Sequence, residues 1–145
     1  MYFNKLYPLG VEAMMDSIEL VRAGNAPREV QDPEAGSYEG WCRKEDVLID
    51  WNRASADVYN LIRGANPQPG AWTTYAGAEL KIFDSRKVDG SGAPGSVLEV
   101  DDSGFVVATA DGAIRVMKVR ADAGKLAAAE YAAAAGLEAG SVLGS

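Results

Sequence analysis

The chain reads as a mainly β domain with flanking helices, an α+β arrangement around a small open sheet, and three observations predict it. Beyond residue 71 the apolar positions recur with a period of two in short runs. Turn-forming pairs and glycine-rich stretches, among them Asp111-Gly112, separate those runs. Two other segments, residues 53–63 and 126–135, carry helical spacing or an alanine-rich composition. Short strands with such turns suit a small barrel or a sandwich, and periodicity alone does not separate the two.

The elements follow in order. Val11, Met14, Met15, Ile18 and Val21 mark one face of a helix over about residues 9–23, with Glu12, Asp16 and Glu19 opposite and Gly24 as its stop. Pro8 and Gly10 separate it from a short helical turn at residues 2–6. Residues 25–44 hold Pro27, Pro33, Gly36 and Gly40 with scattered charges, the composition of an extended linker. Tyr38 and Trp41 within it imply that the linker lies against a surface. Val47 and Ile49 predict a short strand over residues 46–50, followed by Trp51.

Val58, Leu61 and Ile62 then recur at helical spacing, with Asn52 as N-cap and Gly64 placed to take positive φ at the helix end. The run Ile62-Arg63-Gly64-Ala65-Asn66-Pro67-Gln68-Pro69-Gly70-Ala71-Trp72 is a corner between helix and strand. Pro67 and Pro69 fix φ at two of three positions and hold Asn66 and Gln68 away from helical geometry. Gly70 permits the bend into Trp72. On structure alone this is a stiff connector; the functional reading gives Arg63 and Asn66 as donors to an anionic substrate. Strands follow at 72–75 and around Leu80 and Ile82, then a loop at 89–95 and a meander at 97–100, 105–109 and 114–119. An alanine-rich helix at 126–135 stops at Gly136, and Val142-Leu143 returns as an edge strand.

Composition limits function. The 145 residues include 14 basic and 21 acidic side chains, a net charge of −7, and from Glu45 onward nine basic face fourteen acidic, so the negative balance is not confined to the N-terminal segment. Docking on a phosphate backbone then needs local clustering of cations. No histidine is present, which excludes within this polypeptide every mechanism that needs an imidazole base or a histidine metal ligand. The single cysteine, Cys42, forms no internal disulfide and fits a reducing, cytoplasmic setting. No apolar run reaches the ~18 residues of a membrane span, and residues 1–10 lack the pattern of a secretory signal.

The corner run resembles the signature opening the C-terminal domain of the formyltransferase family, read there as IRA, two variable residues, then a P-x-P-x-x-W-like segment. Tyr38-Glu39-Gly40, Lys44-Glu45, Ile49-Asp50-Trp51, Pro94-Gly95-Ser96-Val97-Leu98, Val107-Ala108-Thr109 and Asp111-Gly112 fall in the same order and spacing as in that family. Trp51, Pro67, Pro69, Gly70, Trp72, Asp111 and Gly112 are thereby structural signature positions. The resemblance implies an OB-like Greek-key barrel at 45–145, an interdomain linker at 25–44, and at 1–24 the terminal helix of a Rossmann-like catalytic domain absent from this sequence. It also implies a parent enzyme that uses 10-formyltetrahydrofolate, either transferring the formyl group to an acceptor such as methionyl-tRNA or hydrolysing the cofactor. The Asn, His and Asp of the family's catalytic domain have no counterpart here. No catalytic residue, metal or cofactor is assigned to the chain itself, whose role is that of a substrate-positioning module.

Tyr38-Glu39-Gly40, Arg63-Gly64, Pro69-Gly70-Ala71-Trp72-Thr73 and Phe83-Asp84-Ser85 are nearer the formyltetrahydrofolate hydrolase and dehydrogenase branch, while Ala65-Asn66-Pro67 and Asp111-Gly112 are nearer the tRNA branch; the branch stays open. Arg115, Lys118, Arg120 and Lys125 cluster in sequence, with Asp122 among them, where a tRNA enzyme would present a basic barrel surface. A solvated strand face is the plainer account. The acidic pairs Glu45/Asp46 and Asp101/Asp102 read as strand-start and turn residues. Residues 90–95 lack the Lys and following helix of a phosphate loop. The apolar face of the first helix packs on its own domain or, as the resemblance implies, belongs to the catalytic domain; in the absence of that domain it docks on the chain's own barrel or on a second copy in a homodimer. The alternative from another class is a stand-alone barrel module binding a small ligand or nucleic acid.

Overall fold

A computed structural model describes residues 2–121 and 124–144, so Asp122 lies outside the described residues. The chain divides into two units at Glu39/Gly40. In the first, a π-helical turn Tyr2–Leu6 runs directly into helix α1, Tyr7–Arg22. Pro8 therefore does not break the helix: it sits in the first turn, where a missing N–H leaves nothing unpaired. Gly24 ends α1 at φ 72° as expected, with its N–H donating to the Val21 carbonyl. None of α1's residues is buried, including Val11, Met14, Met15, Ile18 and Val21. Residues 25–39 are irregular apart from one 3-10 turn, Pro33–Ala35, capped by the Asp32 carboxylate.

The second unit is an antiparallel sheet with helices α2 (Ser55–Gly64) and α3 (Ala128–Ala135) packed on it. Its strands are β1 Ala71–Tyr75, β2 Ala78–Val88, β3 Val97–Asp101, β4 Gly104–Ala108, β5 Ala113–Ala121 and β6 Gly124–Ala127. The order β1-β2-β5-β4-β3, with β6 beside β5, sets β2 next to the last strand of the β3-β4-β5 meander, which is a Greek key. The C-terminal segment spans the gap between the outer strands. Val142 bridges Ser96, Leu143 N–H donates to Gly95, and Gly144 N–H donates to Thr74 of β1. Leu80, Ile82, Phe105, Val107, Ile114, Val116 and Val119 fill the interior with Val58 and Ile62 of α2, each contributing ~1.5–3 kcal/mol on burial. Strand β4 is buried at every position, which is why Gly104-Phe105-Val106-Val107-Ala108 reads as a continuous apolar run rather than an alternating one.

Several expectations change. Residues 46–50 form a 3-10 turn, Glu45–Val47, and a single parallel bridge from Leu48 to Trp72, because the chain is still turning toward Trp51. Tyr38 and Trp41 are each 93% exposed. Helix α2 begins at Ser55, and Asn52 does not cap it: its amide and backbone N–H both donate to Asp50 Oδ1 at 3.0 Å. Gly64 is the last helical residue and takes no positive φ; Gly70, at φ 84°, does. Residues 124–127 are strand β6, so the last helix begins at Ala128.

Candidate functional site

The proline corner is tied to β2 by two hydrogen bonds. Asn66 Nδ2 donates to the Phe83 carbonyl at 2.8 Å, and Lys81 Nζ donates to the Pro69 carbonyl at 3.0 Å. Both Asn66–Pro67 and Gln68–Pro69 peptide bonds are cis. Phe83 is a bulge residue: Ile82 pairs with Val119 and Asp84 with Lys118, leaving Phe83 without a partner in the ladder.

Two grooves meet at Phe83. One, of about 530 Å³, is lined by Asn66, Asp84, Lys118 and Lys125, with Phe83 at its side. The other, of about 570 Å³, is lined by Trp41, Cys42, Gln68, Lys81 and Arg120, again with Phe83. Lys125 Nζ lies 4.3 Å from the centre of the Phe83 ring, a cation on an aromatic face. No carboxylate among the described residues lies within ion-pair distance of Lys118, Arg120 or Lys125.

The sequence-predicted residues thus separate. Asn66, Lys118 and Arg120 line the grooves, although the Asn66 amide nitrogen is committed to Phe83. Arg63 lies outside both, its guanidinium 5.1 Å from the Tyr59 ring centre. Arg115 is held by Asp101 at 2.6 Å, the Ser103 hydroxyl at 2.8 Å and Glu99 at 3.0 Å, a neutralised cluster on the β3-β4 hairpin. The Ser103 hydroxyl and then Arg115 hold the Asp101 carboxyl at about 2, below the ordinary aspartate value. Sequence alone does not mark Lys81 and Phe83 as site residues, since only the bulge and the register of β2 on β5 bring them to the grooves. Among the described residues no group of three or more His, Cys, Asp or Glu could hold a metal ion. No helix among them is long and apolar enough to cross a membrane.

The Greek-key sheet, the proline corner tied to β2 and the bulge at Phe83 define an antiparallel α+β domain, and residues 42–135 match the family described as formyl transferase, C-terminal domain. The chain belongs to that family. It is 35% identical over 142 residues to the methionyl-tRNA formyltransferase of Geotalea uraniireducens, covering 97% of this chain and 45% of that protein. It is also 35% identical over 145 residues to the methionyl-tRNA formyltransferase of Bacillus subtilis, covering 97% of this chain and 46% of that one. The chain thus spans under half the length of these curated relatives. In fold it is similar to HypX from Aquifex aeolicus, with a TM-score of 0.67 at 24% identity over 90% of this chain and 25% of that chain. A second HypX structure, in complex with tetrahydrofolic acid, matches with a TM-score of 0.59 at 24% identity over 84% of this chain and 22% of that chain.

Proposed function

We propose that this chain is the C-terminal, substrate-positioning region of a folate-dependent formyltransferase-family enzyme and has no turnover of its own. Residues 1–24 would be the last helix of a Rossmann-like catalytic domain, 25–44 the interdomain linker and 45–145 the barrel that orients the formyl acceptor. The parent enzyme would take the formyl group from 10-formyltetrahydrofolate; transfer to methionyl-tRNA is favoured over hydrolysis because the relatives named above carry that activity in their names. The observation that carries the reading is the alignment of 97% of the chain with less than half of each such enzyme. The absence of histidine supports a chain that leaves proton transfer to another domain. The exposed apolar face of α1 supports a helix whose burying surface is the catalytic domain, since leaving Met14, Met15 and Ile18 in water is costly.

The test is a chimera in which this chain replaces the corresponding region of the Bacillus subtilis methionyl-tRNA formyltransferase. Formyl transfer to methionyl-tRNA is expected to recover to within about a hundredfold of the native enzyme in kcat/KM, while the chain alone shows none. A chimera no more active than the catalytic domain alone overturns the reading. So does a chain that sediments as a dimer which Met15→Asp disrupts without lowering activity of the chimera, because α1 would then serve self-association.

A further inference from the structure

Three cations stand in register across three strands. Lys81 of β2 is the cross-strand partner of Arg120 of β5, and Arg120 is the partner of Lys125 of β6, so all three share one face. Trp72 of β1, the partner of Lys81, ends the row. Like charges directly opposite each other destabilise a sheet, and Arg120 has one on each side. Among the described residues Glu79 is the carboxylate within ion-pair reach of the row: it pairs with Lys44, lies 3.8 Å from Lys81 and lines a groove with Arg120 without pairing to it. Elsewhere on this sheet Glu99 and Asp101 neutralise Arg115, whereas Arg120 and Lys125 have no carboxylate in ion-pair distance among the described residues.

We propose that the Lys81–Arg120–Lys125 row, with Phe83 beside it, binds a compact multivalent anion: a small molecule carrying two or three phosphate or carboxylate charges. This goes beyond the positioning role above and does not rest on it. Three adjacent strands span two spacings of about 4.8 Å, so the row is ~10 Å long. That length matches a di- or trianion and not an extended polymer. Charge points the same way. A long polyanion meets the field of the whole chain, at −7, whereas a small anion in the groove meets chiefly the charges within a Debye length of about 8 Å. Arg120 supplies a planar fork that donates to two oxygens of one phosphate or carboxylate, and Lys125 and Lys81 supply point charges on either side. The groove of about 570 Å³ at Lys81 and Arg120 has room for such a ligand, with Gln68 on its wall as a neutral polar side chain. Phe83 and Trp41 give apolar surface for whatever carries the anionic group.

The experiment is calorimetric titration of the full chain at about 150 mM salt with inorganic tripolyphosphate, with tricarballylate and with a short single-stranded RNA. The proposal expects saturable one-to-one binding of at least one small anion. Arg120→Gln and Lys125→Gln should each weaken it about tenfold, with Arg86→Gln, an exposed charge on the same strand as Lys81, leaving it unchanged. The preferred small anion assigns phosphate or carboxylate as the natural group. Without ligand, Arg120→Gln should raise the thermal midpoint, since it relieves the like-charge row, and added tripolyphosphate or tricarballylate should stabilise the original chain and not the variant. Absence of saturable small-anion binding, or binding that Arg120→Gln leaves intact, overturns the proposal. RNA bound about tenfold or more tighter than either small anion, and lost in Arg120→Gln, overturns it in favour of a polynucleotide site.

Discussion

Asp111 caps a helix that begins fifty-six residues earlier: its carboxylate accepts the Ser55 N–H at 2.7 Å. Ala54, at the N-cap of α2, has no side-chain oxygen to offer, so the cap comes from the β4-β5 turn. The same turn donates the Ala110 N–H to the Arg53 carbonyl at 3.2 Å. A side chain at Gly112 would bring its Cβ to 3.3 Å from Ser55 Oγ. The Asp-Gly pair therefore has a tertiary role beyond making a hairpin. Asp111→Ala should lower stability by about 1 kcal/mol, within the range for lost caps. Asp111→Asn keeps the acceptor and loses only the charge at the helix N-terminus, so it should cost less than half of that. Urea unfolding of the two variants checks the order, and equal costs would assign the effect to the turn instead of the cap.

The Asp101 carboxyl makes part of the acid response legible. Its folded value of about 2 lies below the ordinary 3.8, lowered first by the Ser103 hydroxyl and then by Arg115. A depressed carboxylate contributes stability that is fully present above its unfolded value and is lost as pH falls through its folded value. The window is therefore about pH 4 down to about 2. Asp101→Asn should remove this share of the acid dependence, giving a flatter fall of the urea midpoint across that window while leaving the slope above pH 5 unchanged. A variant whose acid profile superimposes on the original would refute the assignment.

Much of the barrel was legible because its signals are local. Val58, Leu61 and Ile62 mark α2, Gly70 marks the bend at positive φ, and the alternation around Leu80 and Ile82 marks β2. What failed depends on partners distant in sequence. Asn52 has the residue type of an N-cap, yet Asp50, two residues away, captures it in a tighter local turn, and the actual cap arrives from Asp111. Leu126 and Ala127 have helical propensity, but Leu126 pairs with Val119 and Ala127 with Lys118, and strand pairing overrides a few tenths of a kcal/mol per residue. The basic cluster was legible as composition and not as geometry. Met117, skipped in the pairing of Val116 and Lys118 with β2, separates Arg115 from the residues that reach the grooves. Proximity in sequence overstated the site at Arg115 and passed over Lys81.

Gly104 is fixed by contact as well as by φ. At 136° it occupies a region side chains rarely enter, and a Cβ would sit 1.9 Å from the Val116 carbonyl oxygen. That oxygen belongs to backbone at the centre of the sheet, so no side-chain rotation relieves the overlap. Gly104→Ala should cost more than about 3 kcal/mol and shift the β3-β4 hairpin away from β5. Gly124→Ala offers the comparison: its φ of 108° is also strained, but no atom of the described residues beyond its chain neighbours lies within 4 Å of its Cβ, so strain alone should act there. Equal losses in the two variants would show that the close approach to Val116 is relieved by a movement of the strand.

Trp51 reaches the core from an irregular segment, 4% exposed, with Nε1 donating to Thr73 Oγ1 of β1 at 3.1 Å. Thr73 is fully buried, so the bond joins two polar atoms that have no water to turn to. Removing only the donor, as in Trp51→Phe, combines lost packing with a stranded hydroxyl and should cost about 2–4 kcal/mol. Removing only the acceptor, as in Thr73→Val, strands the indole N–H and should cost about 1–3 kcal/mol. The pair of changes together leaves no orphaned polar atom. Its cost should therefore fall below the sum of the singles by about 1 kcal/mol or more, because residues in contact within one hydrogen-bonded pair couple by that order. Denaturant unfolding of the four proteins gives the coupling directly. Strict additivity would mean that Trp51 anchors the segment before α2 by packing alone.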